Sequence, residues 1–171
     1  MGKLNTAADP RHAVPNPMDR GWLRTIPLSA VILGFALVSF YYGELPDRIP
    51  IHFGITGQAD GFGSKVILWI LPVINLGLFY LMGWTTKASF KHFNYPVAIT
   101  EENAARQHAI ALEMVAVLRT VCCLLIAYLV YAIIRAAQTG NGSLGALAMS
   151  FFIVGIFGPI AYYMWKAKLA K

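Results

Sequence analysis

Four apolar runs, each close to the length needed to cross a bilayer, constrain this chain more than any other feature. They fall at about residues 22–42, 66–84, 114–134 and 144–165, and a helix needs roughly 20 apolar residues to pass a hydrocarbon core about 30 Å thick. Of the 171 residues, 57% are hydrophobic and 13% charged. A water-soluble domain of this size would carry such a surplus as exposed apolar patches, whereas lipid covers it directly. The pattern predicts an all-α membrane protein, a four-transmembrane-helix bundle with the lipid bilayer as its first partner.

Local signals refine the runs. Residues 1–20 are polar, contain Pro10, Pro15 and Pro17, and read as a flexible cytoplasmic arm ahead of a single transmembrane domain over 21–171. Pro72 is expected to kink the second helix. The third helical pattern opens at Thr100 as N-cap, with Glu101 and Glu102 in the first turn, and runs without Gly or Pro to about Gln138. At 1.5 Å per residue it would be about 55 Å long, so its first turns lie outside the hydrocarbon. Ser143 is expected to cap the fourth helix. Cys122 and Cys123 are adjacent in an apolar run and read as inert small hydrophobes.

Charge gives the orientation. The chain has 14 Lys and Arg against 8 Asp and Glu. Lys3, Arg11, Arg20, Arg24, Lys87, Lys91, Arg106, Lys166, Lys168 and Lys171 share one side of a four-span arrangement, and only Arg48, Lys65 and Arg135 face the other. Positive residues collect on the cytoplasmic side, which predicts both termini inside. The excess is therefore topological, and no nucleic-acid partner is expected.

The loop at 43–65 between the first two runs is longer than a helix connection requires. Pro46 and Pro50 hold its start extended, Ile49 to Phe53 can form a short strand, and Gly54, Gly57, Gly61 and Gly63 permit tight turns. The expected form is an ordered extracytoplasmic lid with a small hairpin. The string Leu45-Pro46-Asp47-Arg48-Ile49-Pro50-Ile51-His52-Phe53, then Gly57, then Ala59-Asp60-Gly61-Phe62-Gly63-Ser64-Lys65, resembles the signature of a bacterial integral-membrane family of unknown function. The same domain forms the N-terminal part of SdpI-type immunity proteins. Gly54 stands where many members carry Asn, and the resemblance covers about Trp22 to Ile134. It implies a multi-pass protein of the bacterial inner membrane. SdpI-type proteins confer resistance to a secreted toxin and signal to a repressor, but they contain a further membrane region for which this chain has one terminal span.

Several groups are candidates for chemistry. In the lid, Asp47, His52 and Asp60 are residue types that suit a divalent metal, and Ser64 with His52 and Asp47 are those of a hydrolase triad. Neither the spacing of a metal site nor a nucleophile turn accompanies them, so no metal, cofactor or catalytic residue is expected. Pro46, Asp47, Pro50, His52, Phe53, Gly57, Asp60, Gly61, Ser64 and Lys65 are instead the candidate partner-binding set. Within the spans stand Asn75, Arg119 and, at the cytoplasmic edge, Glu113. Arg119 is expected to snorkel to the interface or to form an ion pair in the bundle, Asn75 to hydrogen-bond between helices, and Glu113 to continue a solvated stripe with Glu102 and Arg106. Phe90, Phe93 and Tyr95 among Lys87, Lys91 and His92 read as a segment lying on anionic lipid. Small residues at Ala30, Gly34, Gly145, Ala148, Gly155 and Gly158 allow close helix approach, either within the bundle or to another subunit.

The function these features favour is non-enzymatic: recognition of an extracytoplasmic peptide, toxin or protein partner by the lid, in an SdpI-like immunity or sensing role. The alternative is an accessory subunit docked laterally in a larger membrane complex, or a homo-oligomer. A small transporter is the third reading.

Overall fold

The spacing of buried residues along the first helix shows how the bundle is organised. In a computed structural model describing residues 14–87, 92–140, 143–144 and 146–171, with side chains at 146–149 excepted, helix α1 spans Gly21–Tyr41. Its buried positions are Leu23, Pro27, Ala30, Val31, Gly34 and Val38, steps of three, four and one that trace a single stripe. Trp22, Ile32, Leu33 and Phe40 on the remaining surface are exposed. A hairpin of β1 (Arg48–Phe53) and β2 (Ala59–Ser64) follows. A 3-10 turn over Lys65–Trp69 then leads into α2 (Ile70–Thr85). Helix α3 (Ala104–Thr139) has 36 residues, and α4 (Ala146–Leu169) has 24.

Helix α3 is the hub. Each of α1, α2 and α4 packs along it, α1 also touches α2, and α4 rests chiefly on α3. The core forms three layers along this axis. Val38, Leu45, Ile49, Leu68, Val130, Ile133 and Ile134 make the layer beneath the hairpin. Ala30, Val31, Cys123 and Ala127 make the middle. Met18, Leu23 and Ala116 make a smaller one at the opposite end, where Asn16 caps a 3-10 turn over Pro17–Asp19. Small residues permit these approaches: a Cβ on Gly34 would sit 3.5 Å from Pro72, and one on Gly155 would sit 3.3 Å from Val121.

Three helical stretches among the described residues are long and apolar enough to cross a membrane: Gly21–Tyr41, Lys65–Thr85 and Ala104–Thr139. The expected fourth is not among them. The described side chains of α4 begin at Ser150, and Gly155, Gly158, Pro159, Lys166 and Lys168 dilute the apolar content of the helix beyond it. Exposed Trp22, Trp84 and Trp165 stand near the ends of α1, α2 and α4 that point away from the hairpin, the placement of an interfacial aromatic belt. The fold is compatible with a multi-pass membrane protein.

Other expectations are corrected. Pro72, the expected kink, lies in the first turn of α2, directly after the 3-10 turn over Lys65–Trp69, a position where Pro is tolerated. Helix α3 starts at Ala104, not after Thr100. Thr100 and Asn103 bond each other's backbone N–H through their side chains at 3.3 and 2.9 Å, a reciprocal turn that delays the helix by three residues. It ends on Gly140 at φ 66°, a left-handed position suited to glycine. Ser143 pairs with Gln58 as an isolated bridge ahead of α4, which begins at Ala146. Phe93 packs with Tyr95 and with His108 of α3, and the Tyr95 hydroxyl lies 3.2 Å from His108 Nδ1. Burial pushes the Tyr95 hydroxyl up to about 12. Most of the expected arm (1–13), Phe90, Lys91 and Gly145 lie outside the described residues, as does the side chain of Ala148.

Candidate functional site

The hairpin is built by the motif that suggested it. Arg48 pairs with Ser64, Ile49 with Gly63, and Pro50 with Phe62; bulges at Ile51 and Asp60 then shift the register so that His52 faces Gly61 and Phe53 faces Ala59. The bulges re-aim side chains and bring His52 Nδ1 against Asp60 Oδ1 in an exposed ion pair. Close strand approach explains the glycines: a Cβ on Gly61 would lie 3.0 Å from that of His52, and one on Gly63 would lie 2.7 Å from Ile51. Gly57 has φ 79°, and its N–H donates to the Gly54 carbonyl at 2.8 Å to close the turn.

The rest of the motif anchors the hairpin to the bundle. Ile49 and Leu45 are buried in the core layer beneath it, and Pro50 is buried while Pro46 is exposed. Lys65 donates from Nζ to the Leu45 carbonyl at 2.9 Å, pairs with Asp47 at 3.5 Å and stands 5.2 Å from the centre of the Tyr42 ring. Its backbone N–H donates to the Asp47 carbonyl at 3.0 Å. Ser64 caps the 3-10 turn by accepting from the Val66 N–H. Thus Asp47, Gly57, Gly61, Ser64, Lys65 and Pro50 shape and fix the lid. His52 and Asp60 are displayed on it, beside Phe62 (52% exposed) and the tip residue Ile55 (93% exposed). Asp47 does not join His52 and Asp60, and Ser64 is committed to its cap.

Beneath β1 lies an apolar cleft of about 350 Å³. Phe53 and its β1 neighbours roof it, Ile67, Ile70 and Leu71 form one wall, and Leu129, Ile133 and Phe152 contribute the others. It lies where α4 packs chiefly on α3. At its lid end the Leu144 N–H donates to the Gly57 carbonyl at 2.7 Å. The sequence motif pointed to the hairpin above this cleft but gave no sign of the cleft itself, which depends on where α4 rests.

The intramembrane polar residues form no shared site. Asn75 is fully buried and donates Nδ2 to the Cys123 carbonyl at 3.1 Å, an interhelical bond as expected. Its Oδ1 has no partner among the described residues. Arg119 is 4% exposed, so it does not snorkel, and among the described residues it has no ion pair. Its guanidinium donates to the Leu23 carbonyl at 2.7 Å and lies 4.7 Å from the Phe79 ring centre. The reason is in α1: four residues after Leu23 stands Pro27, which has no N–H to close that helical bond. Arg119 supplies the missing donor. Glu113 belongs to no solvated stripe; it bridges Arg20 at 3.1 Å and Lys166 at 2.8 Å, joining the starts of α1 and α3 to the end of α4. Gln107, absent from the sequence candidates, is buried and donates to the Ala167 and Ala170 carbonyls, both at 2.9 Å. Only the placement of α4 reveals that role.

A family model described as a domain of unknown function (DUF1648) matches residues 30–76, from the middle of α1 through the hairpin into α2. The chain is similar to an uncharacterized protein of Archaeoglobus fulgidus, 39% identical over 62 residues, or 35% of this chain and 34% of that protein. It thus spans about a third of the length of the curated relative it matches. No solved structure matches.

Proposed function

We propose that this is a small non-enzymatic membrane protein whose hairpin, facing outward from the cytoplasmic membrane of a bacterium, recognises a peptide, toxin or protein partner, in a role like that of SdpI-type immunity or sensing proteins. In this reading α4 is a fourth span and both termini are inside. The observation that carries it is the exposed crest of the hairpin: Ile55 and Phe62 face solvent beside the His52–Asp60 ion pair. Apolar side chains rimmed by a polar His–Asp pair, on a hairpin anchored from below, are the composition of a recognition surface. The similarity of residues 30–76 to a domain of unknown function is compatible with this role.

The test is photocrosslinking in cells from a probe at position 55, compared with one at the lipid-facing position 32. A discrete crosslink from position 55 alone, lost in the double variant His52→Ala, Asp60→Ala at equal membrane abundance, is the expected result. An equal crosslink in that variant, or none, overturns the reading. The accessory-subunit alternative has one observation in its favour: a Cβ on Gly77 of α2 would meet nothing within 4 Å, and exposed Val73, Ile74, Tyr80 and Leu81 surround that position on the helix. Solubilisation as a particle of fixed mixed composition would support it, and a lone monomer or homodimer would sink it.

A further inference from the structure

We propose that the cleft between α2 and α4 is a binding site for the acyl chain of a bilayer phospholipid, admitted sideways from the membrane. The inference goes beyond partner recognition by the hairpin crest, although His52 of that crest also borders the cleft.

Three observations select this occupant. First, apart from His52 at the roof, the walls offered by Ile67, Ile70, Leu71, Leu129, Ile133 and Phe152 are hydrocarbon. Water needs two to four polar partners to reside in a cavity, and these side chains have none to give. Left empty, they would forfeit dispersion contacts over the whole surface. Second, the cleft is continuous with the surface that α2 turns to lipid. Ile67 and Ile70 at its edge are exposed on the same membrane-length helical stretch as Val73 and Ile74. Third, the lid end is closed. Strand β1 covers it, the Leu144 N–H is tied to the Gly57 carbonyl, and Gln58 is bridged to Ser143. These links join the hairpin turn to the segment entering α4 and leave the lateral opening as the path of access. The volume of about 350 Å³ lies within the usual range of small-ligand sites, roughly 300–1,000 Å³.

The positive φ of Gly57 acquires a second meaning here. The left-handed turn presents its carbonyl to Leu144, so one glycine both closes the hairpin and fastens it across the cleft. Helix α4, resting chiefly on α3, forms the wall freer to adjust to a chain.

The full-length protein, reconstituted in vesicles of palmitoyl-oleoyl phosphatidylethanolamine and phosphatidylglycerol and released into a native mass spectrometer, tests the proposal. The expected spectrum shows one phospholipid retained per chain. Leu129→Trp, which fills the cleft, and Ile70→Gln, which places an amide at its exposed edge, each lose that adduct. Ile32→Gln, an equally lipid-exposed change on α1, keeps it. Ile70→Gln replaces no core residue, so its result stands even if Leu129→Trp fails to fold. Absence of a retained lipid, equal retention in Ile70→Gln and Ile32→Gln, or displacement of the lipid by an added water-soluble apolar peptide overturns the proposal.

Discussion

The two ends of the bundle are held by different chemistry. Under the hairpin, seven apolar residues from α1, the lid, the 3-10 turn and α3 form one continuous core layer. At the other end the corresponding layer has only Met18, Leu23 and Ala116, and side chains bridge the gap: Arg119 to the Leu23 carbonyl, Gln107 to the Ala167 and Ala170 carbonyls, and Glu113 to Arg20 and Lys166. One of these links, Arg119 to Leu23, completes helix backbone that lost its own donor to Pro27. Apolar burial holds one end as a platform on which side chains can be displayed, and directed hydrogen bonds hold the other as a clamp on helix termini.

The contrast predicts graded responses in equilibrium unfolding, followed by helicity in mixed micelles. The largest loss is expected from Ile49→Ala, which removes apolar volume from the lid-end layer at a cost of about 2–5 kcal/mol. A cost near zero would mean that the hairpin is not anchored by burial. Next, Arg119→Leu leaves the Leu23 carbonyl buried without a donor, expected at about 1–3 kcal/mol. Here a second substitution sharpens the test. Pro27→Ala restores a backbone N–H within reach of that carbonyl, so it should change the parent protein little and recover part of the loss in the Arg119→Leu background. Strict additivity in this double-mutant cycle would show that Arg119 serves some other group. The smallest effect is expected from Glu113→Gln, under about 1 kcal/mol because both ion pairs are partly exposed. The difference from the parent should shrink as salt is added. If Glu113→Gln instead proves as costly as Ile49→Ala, the division between the two ends fails.

Much of the architecture was legible in the sequence because it rests on local signals. Apolar run lengths marked the helices, and the Pro and Gly spacing from Pro46 to Lys65 marked the hairpin. Boundaries were less legible, since caps compete: Thr100 and Asn103 satisfy each other before the helix begins. The candidate set was half legible. The motif showed that the lid is specific without separating residues that build it, such as Gly61 and Lys65, from those it displays, such as His52 and Asp60. Arg119 stands out in the sequence as an unusual residue, but a backbone carbonyl takes the place of the expected interface or ion pair. Its partner is set by a proline 92 residues earlier in the chain, a long-range pairing that no periodicity encodes. The cleft was invisible for the same reason.

The central position of α3 has a consequence for how the chain is made. Synthesis proceeds from the N-terminus, so α1 and α2 are complete before their hub is translated. Until α3 arrives, the Leu23 carbonyl lacks its donor and Asn75 lacks its acceptor at Cys123. A nascent two-helix intermediate therefore carries two polar groups, one on α1 and one on α2, that only the third helix satisfies.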